Sequence, residues 1–240
     1  MTEPFPSLDR ARVLVIGGSS GIGLAVAEAA RAAGASVAIA SRSPQKLERA
    51  RARLGAGVTS HVLDTGDEAA VSALLAGEPW DHVVVSAAQT PSGPVRTLPL
   101  ADAYAAMESK FWGAYRVARA ARIRDGGSLT LVSGYLSERP SAAAVLQGAI
   151  NAGLEALARG LALELAPVRV NAVSPGLIAT PLWDRLPEDR REAMFAGAAE
   201  RLPARRVGTA QDVANAVLYL LATPFATGST VRVDGGGAIA

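Results

Sequence analysis

The chain runs to 240 residues, 50% of them hydrophobic, with a mean hydropathy of +0.22 and a formal charge of +2. That length suits one domain with a single large core, and no apolar run reaches the roughly 18 residues needed to cross a bilayer, so no membrane span or membrane partner is expected. The pI of 9.3 invites a nucleic-acid reading, but arginines such as Arg49, Arg51 and Arg53 are interleaved with alanine and gather no excess charge on one surface, so nucleic acid is excluded as a partner.

There is no cysteine, hence no disulfide framework and no thiolate site, and no metal site is expected. The opening MTEPFPSLDR carries acidic residues and lacks the apolar stretch of a secretory leader, so a cytoplasmic location is the expectation. High apolar content without a membrane span predicts burial between subunits.

From the amino end, a β-branched run at 12–17 precedes a helical pattern at 21–33. The alternation repeats as strand 36–41 and helix 44–54, strand 58–63 and helix 67–76, strand 81–87 and helix 100–123, strand 128–133 and helix 142–166. A strand at 168–174, a helix at 210–222 and a strand at 229–234 complete it. Val/Ile/Leu runs mark strands buried on both faces, and their alternation with longer helices marks a parallel sheet. The prediction is an α/β fold, a doubly wound seven-stranded parallel sheet with helices on both faces, forming one domain over 1–240. The segment PLWDRLPEDRREAMFAGAAERLP, with a helical piece near 188–200, interrupts the rhythm after a late strand, where ligands bind in open sheets. Residues 182–204 are therefore a candidate substrate lid, in which Trp183, Met194 and Phe195 form either an apolar substrate wall or core.

RVLVIGGSSGIGLAVAEAA is a strand, a glycine-rich turn and a helix. Gly17 allows the tight turn, Gly21 lets backbone approach a phosphate, Gly23 permits close helix–sheet packing, and the helix amino end attracts the anion. After the second strand of a dinucleotide fold, a carboxylate pairs with the ribose hydroxyls of NAD, whereas an arginine favours the 2′-phosphate of NADP. Here the chain reads AIASRSPQK, with Ser41, Arg42 and Ser43 and no carboxylate, so NADP(H) is favoured over NAD(H).

The segments IGGSSGIG (16–23), LDTGD (63–67), LALELAP (161–167), RVNAVSPGLIATP (169–181) and VRVDGG (231–236) resemble the short-chain dehydrogenase/reductase family over nearly the whole chain. The resemblance implies a Rossmann-type sheet in the order 3-2-1-4-5-6-7 and a cofactor bed that includes Ser19, Ser20, Ile22, Thr65 and Ala87. It further implies nicotinamide near Pro175, Gly176 and Ile178, phosphate contact from Thr180, and Asp64 beside the adenine. Association through the helices at 100–123 and 142–166 and the last strand, as a homotetramer or homodimer, is also implied.

The family's proton-transfer residues are a tyrosine, a lysine four positions later, a serine and an asparagine. Matched on LEALARGLALELAP, SLTLVSG and FWGAYRVARA, those positions hold Gln147, Asn151, Gly134 beside Ser133, and Lys110. No tyrosine in the chain is followed by lysine four residues later. Gln147 and Asn151 share a helical face, and amides cannot act as acid or base near neutral pH. The family's asparagine and lysine have in effect exchanged places, so Lys110 and Asn151 are expected to face the nicotinamide from opposite helices, against the plain alternative of a surface lysine.

Three groups are candidates for the missing acid or donor: Lys110 with its pKa lowered by burial, Tyr135 if its phenol enters the cleft and does not pack at the loop mouth, and Ser133 as a hydrogen-bond donor. Gln89 replaces the glycine of the family's turn after the fourth strand. His61 and His82 lie in strands, away from the carboxyl ends. Three readings remain: an NADP(H)-dependent oxidoreductase of a small apolar carbonyl or alcohol with a non-standard donor set; a redox-silent NADP(H)-binding sensor or partner; and a non-redox isomerase, cyclase or lyase using the same pocket.

Overall fold

The structure, a computed structural model, describes residues 7–240, so the first six residues of the segment read for a leader lie outside the described residues. The strands are β1 (Arg12–Ile16), β2 (Ser36–Ser41), β3 (Thr59–Val62), β4 (Trp80–Val85), β5 (Ile123–Val132), β6 (Arg169–Pro175), the short β7 (Ile178–Ala179) and β8 (Gly208–Thr209), and β9 (Thr230–Val233). Seven form one parallel sheet in the order β3-β2-β1-β4-β5-β6-β9, the order the resemblance implies. Its central strands are apolar on both faces, as in the VLVI run of β1 from Val13 to Ile16, each residue at most 1% exposed.

The helices are α1 (Gly21–Ala32), α2 (Pro44–Leu54), α3 (Glu68–Leu75), α4 (Leu100–Met107), α5 (Gly113–Ala120), α6 (Val145–Glu164), α7 (Glu188–Arg201) and α8 (Ala210–Ala222). Val26, Leu47 and Val217 bring α1, α2 and α8 into the core on one face, and Val71, Val117 and Leu154 bring α3, α5 and α6 into the core on the other. Each such side chain contributes about 1.5–3 kcal/mol by leaving water. Among the described residues no helix is long and apolar enough to cross a membrane, and no cluster of three metal-ligating side chains occurs.

Two predicted helices change shape. The expected helix 100–123 is α4 and α5 joined by a π-helical turn, Glu108–Trp112, and it stops at Ala120. The backbone N–H of Trp80 donates to the Arg122 carbonyl at 2.9 Å, which draws the chain out of the helix and into β5 from Ile123 onward. The expected helix 142–166 begins only at Val145 and ends at Glu164. The interrupting segment leaves the main sheet at a small two-stranded ribbon: β7 and β8 pair in parallel, Ile178 with Gly208 and Ala179 with Thr209, and tie together the two ends of the excursion that carries α7.

Candidate active site

The glycine-rich turn is shaped by close approach. A Cβ on Gly23 would lie 2.2 Å from the Gly17 carbonyl oxygen, and one on Gly17, whose φ is +91°, would lie 2.6 Å from the Ala87 backbone nitrogen. These contacts bring α1 onto β1 and seat Ala87 against the turn, and neither tolerates a side chain. Gly21 is different: the nearest atom to its missing Cβ is Cβ of Thr180, at 3.5 Å. The first turn of α1 thus faces the Thr180 side chain across a narrow gap. Ser20 is the N-cap of α1, but its side chain makes no capping bond, and no acidic residue lies in the first turn. The positive end of the helix is left for an anion, with Ser19 and Ile22 on either side of the cap.

At the end of β2, the Ser41 hydroxyl is buried without a hydrogen-bond partner among the described residues. Arg42 beside it is exposed and donates to the Gln89 side-chain oxygen at 2.8 Å. Ser43 is the N-cap of α2, accepting from the Lys46 backbone N–H at 3.3 Å, which leaves its O–H free to donate. Asp64 is exposed and closes its own turn by accepting from the Gly66 N–H at 2.9 Å. Thr65 is buried against Gly113, where an added Cβ would come within 2.6 Å of its hydroxyl oxygen. Pro175 ends β6, the Gly176 N–H donates to the Val233 carbonyl at 2.9 Å, and Ile178 is core. An orphaned buried hydroxyl, a guanidinium and a cradle closed to any Cβ fit a phosphorylated dinucleotide.

The centre of the site is Lys110. The π turn inserts one residue into the helical repeat and aims Lys110 inward, a geometry common at functional positions. Its ammonium donates to Asn151 Oδ1 at 2.7 Å and to the Ser133 carbonyl at 2.7 Å. The exchange of residue types between the two helices is therefore a direct contact. Burial pushes the Lys110 amine down to about 8 from its ordinary 10.5, against the opposing effect of the Glu155 carboxylate. Gly134, at the family's serine position, complements this arrangement, since a Cβ there would lie 2.7 Å from Asn151 Nδ2. Asn151 occupies the space a serine side chain would enter.

Below this cluster lies a residue that sequence reasoning missed. Glu155 is 7% exposed, and its Oε1 accepts from the hydroxyls of Ser133 and Ser137, each at 2.8 Å. Gln147, Asn151 and Glu155 recur at i, i+4 and i+8 on α6 and are all buried. Gln147 points away from Lys110's acceptors: its Nε2 donates to the Thr90 and Pro91 carbonyls at 3.2 and 3.1 Å, holding the loop between β4 and α4. Tyr135, in the 3₁₀ turn Tyr135–Ser137, packs its ring 3.4 Å from a Cβ position on Gly237, and its phenol makes no hydrogen bond among the described residues. In the excursion, the Trp183 indole donates to the Ile178 carbonyl at 2.9 Å, while Met194 and Phe195 are half-buried on α7. His61 and His82 lie within β3 and β4, as expected; His82 faces the core, where its Nδ1 meets the Ser128 hydroxyl at 2.9 Å.

Known proteins place these features in context. The chain matches the family model described as enoyl-(acyl carrier protein) reductase over residues 17–237. It is 34% identical to a short-chain dehydrogenase/reductase of Stachybotrys chlorohalonatus, with 96% of this chain and 98% of that protein covered. Among solved structures it is similar to a small-chain dehydrogenase in complex with NADPH, at 36% identity and a TM-score of 0.86, covering 97% of this chain and 100% of that one. It is also similar to a short-chain oxidoreductase of Pseudomonas aeruginosa containing an atypical catalytic center, at 29% identity and a TM-score of 0.88, covering 96% of this chain and 98% of that one.

Proposed function

Because the chain belongs to the short-chain dehydrogenase/reductase family, we propose that it is an NADP(H)-dependent oxidoreductase of small apolar carbonyl compounds or alcohols in which Lys110 handles the proton that a tyrosine handles elsewhere in the family. The observation that carries this reading is the Lys110 ammonium, fixed by two 2.7 Å hydrogen bonds and lowered to about 8. An acid titrating that close to neutrality is suited to general acid–base work, and two of its three N–H groups suffice to aim the third. NADP(H), when bound, would supply or accept the hydride. Lys110 then gives its proton to the carbonyl oxygen in reduction, and as the free amine takes the hydroxyl proton in oxidation.

Arg42, with no carboxylate beside it, supports NADP(H) over NAD(H), and a similar structure is of a complex with NADPH. Thr180 opposite Gly21 supports phosphate contact there. The excursion closed off by β7 and β8 supports a lid over the substrate, with Met194 and Phe195 as its apolar lining. Tyr104, Trp112 and Tyr115 are exposed along the α4–α5 segment and Leu163 is 84% exposed on α6, which supports burial of these helices in a homodimer or homotetramer. A cytoplasmic location accords with a chain that has no cysteine.

A second reading, binding of NADP(H) without turnover, draws on Gln147, whose donors are spent on backbone carbonyls. One experiment separates the two: titration with NADPH and NADH, then absorbance at 340 nm across a panel of apolar ketones and alcohols. Tighter binding of NADPH with substrate-dependent oxidation supports the enzyme. Tight binding with no turnover supports the silent protein, and no binding below millimolar concentration removes both.

A further inference from the structure

We propose that Glu155 is a positioning residue of this site, the buried counter-charge that holds the Lys110 ammonium in place through Ser133. The inference deepens the reading of Lys110 as proton donor and takes its functional meaning from it, while its geometry and its test do not require turnover. One acceptor of Lys110 belongs to a residue hydrogen-bonded to Glu155, and the other shares its helix face. The Ser133 carbonyl belongs to the residue whose hydroxyl donates to Glu155 at 2.8 Å, and Asn151 lies one turn before Glu155 on the same face of α6. The same Glu155 oxygen also accepts from the Ser137 hydroxyl at 2.8 Å, so two hydroxyls fix the carboxylate in its place.

Lys110 itself takes part in no salt bridge among the described residues, so its two direct acceptors are neutral. A half-buried ammonium with only neutral acceptors is costly, and a charge of opposite sign nearby offsets part of that cost. The other charged groups on the elements around it are engaged elsewhere. Glu108, on the same π turn, pairs with Arg116 at 2.5 Å, and Glu138, just past the 3₁₀ turn, pairs with Arg232. Arg159 and Glu164 of α6 are exposed, and Tyr135 turns its ring to Gly237. Glu155 is left as the buried charge on Lys110's side of α6.

Lys46 and Lys110 are the only lysines, so lysine-selective 13C labelling gives two side-chain Cε resonances to titrate, and Lys46→Arg assigns them. Glu155→Gln keeps the shape and an acceptor but removes the charge; Lys110 should then titrate roughly one pH unit below the wild type, a tenfold loss of proton affinity. Glu155→Asp and Ser137→Ala keep the charge and should leave the titration close to the wild type. A Lys110 that titrates alike in wild type and Glu155→Gln overturns the proposal. If Glu155→Gln alone does not fold, urea unfolding of Lys110→Met and of the double variant decides: recovery of a folded protein in the double variant supports paired charges, and a double variant that is also unfolded overturns them. A shifted titration in a protein that reduces no carbonyl would remove Lys110 as donor and leave the counter-charge intact, whereas turnover with no shift would do the reverse.

Discussion

Lys110 should make the protein more stable as pH rises above neutrality, and Lys110→Met should abolish that gain. The amine falls from 10.5 to about 8 on folding, so between those values the unfolded chain binds more protons than the folded one. The sign follows: the fold carries the full cost of the buried ammonium at pH 7, and the cost is relieved as pH rises through the folded value toward the unfolded one. At roughly 1.36 kcal/mol per pH unit, that cost is about 3 kcal/mol at pH 7, of which about 2 kcal/mol is recovered by about pH 9.5. Other groups titrate in this range too, so the quantity to measure is the difference between wild type and Lys110→Met in urea-unfolding free energy at the two pH values. The wild type should gain about 2 kcal/mol on the variant. Parallel stability curves would refute the description of Lys110 as a half-buried, desolvated cation.

Other perturbations reach the remaining parts of the account. His82 is held down to about 4 from 6.5, by burial first and then by Arg169, so its contribution is present above pH 6.5 and is lost as pH falls toward 4; acid unfolding of His82→Gln should be displaced to lower pH than wild type. Gly134→Ser, which restores the family's hydroxyl, drives a side chain toward Asn151 Nδ2 and should cost about 1–3 kcal/mol in thermal or urea unfolding, with relief in the Asn151→Ala background. Arg42→Asp should weaken NADPH binding by roughly tenfold to a hundredfold, read by fluorescence titration, and spare NADH. Gly23→Ala meets the Gly17 carbonyl and should impair both folding and NADPH binding, which calorimetry of each would reveal.

The features that carry the sheet and the glycine-rich turn are legible because much of what determines them is local sequence. Continuous apolar runs mark two-sided strands, and glycine at 23 is required by its contact with the Gly17 carbonyl within a short strand–turn–helix unit, while Gly17 is required by the positive φ of the turn itself. The exchange of Lys110 and Asn151 was legible too, because both lie at fixed places on long helices. Glu155 was not: a glutamate inside LEALARGLALELAP looks like part of a solvated helix face, and only its spacing of four from Asn151 and eight from Gln147 signals a buried polar stripe. Nor did the pattern from 100 to 123 disclose the π turn, since inserting one residue leaves the composition of a helix unchanged while rotating everything beyond it. The bonds from Gln147 to the Thr90 and Pro91 carbonyls depend on a loop far away in sequence.

The central claim is that Lys110 does the proton work of this site. Its most direct test is the rate of NADPH oxidation at 340 nm, with an apolar ketone that the wild type turns over, compared between wild type and Lys110→Met under cofactor saturation. The account predicts retained NADPH binding and a rate lower by roughly 10²–10⁴-fold, the contribution of one positioned general acid. A variant that binds NADPH and reduces the ketone as fast as the wild type would contradict it.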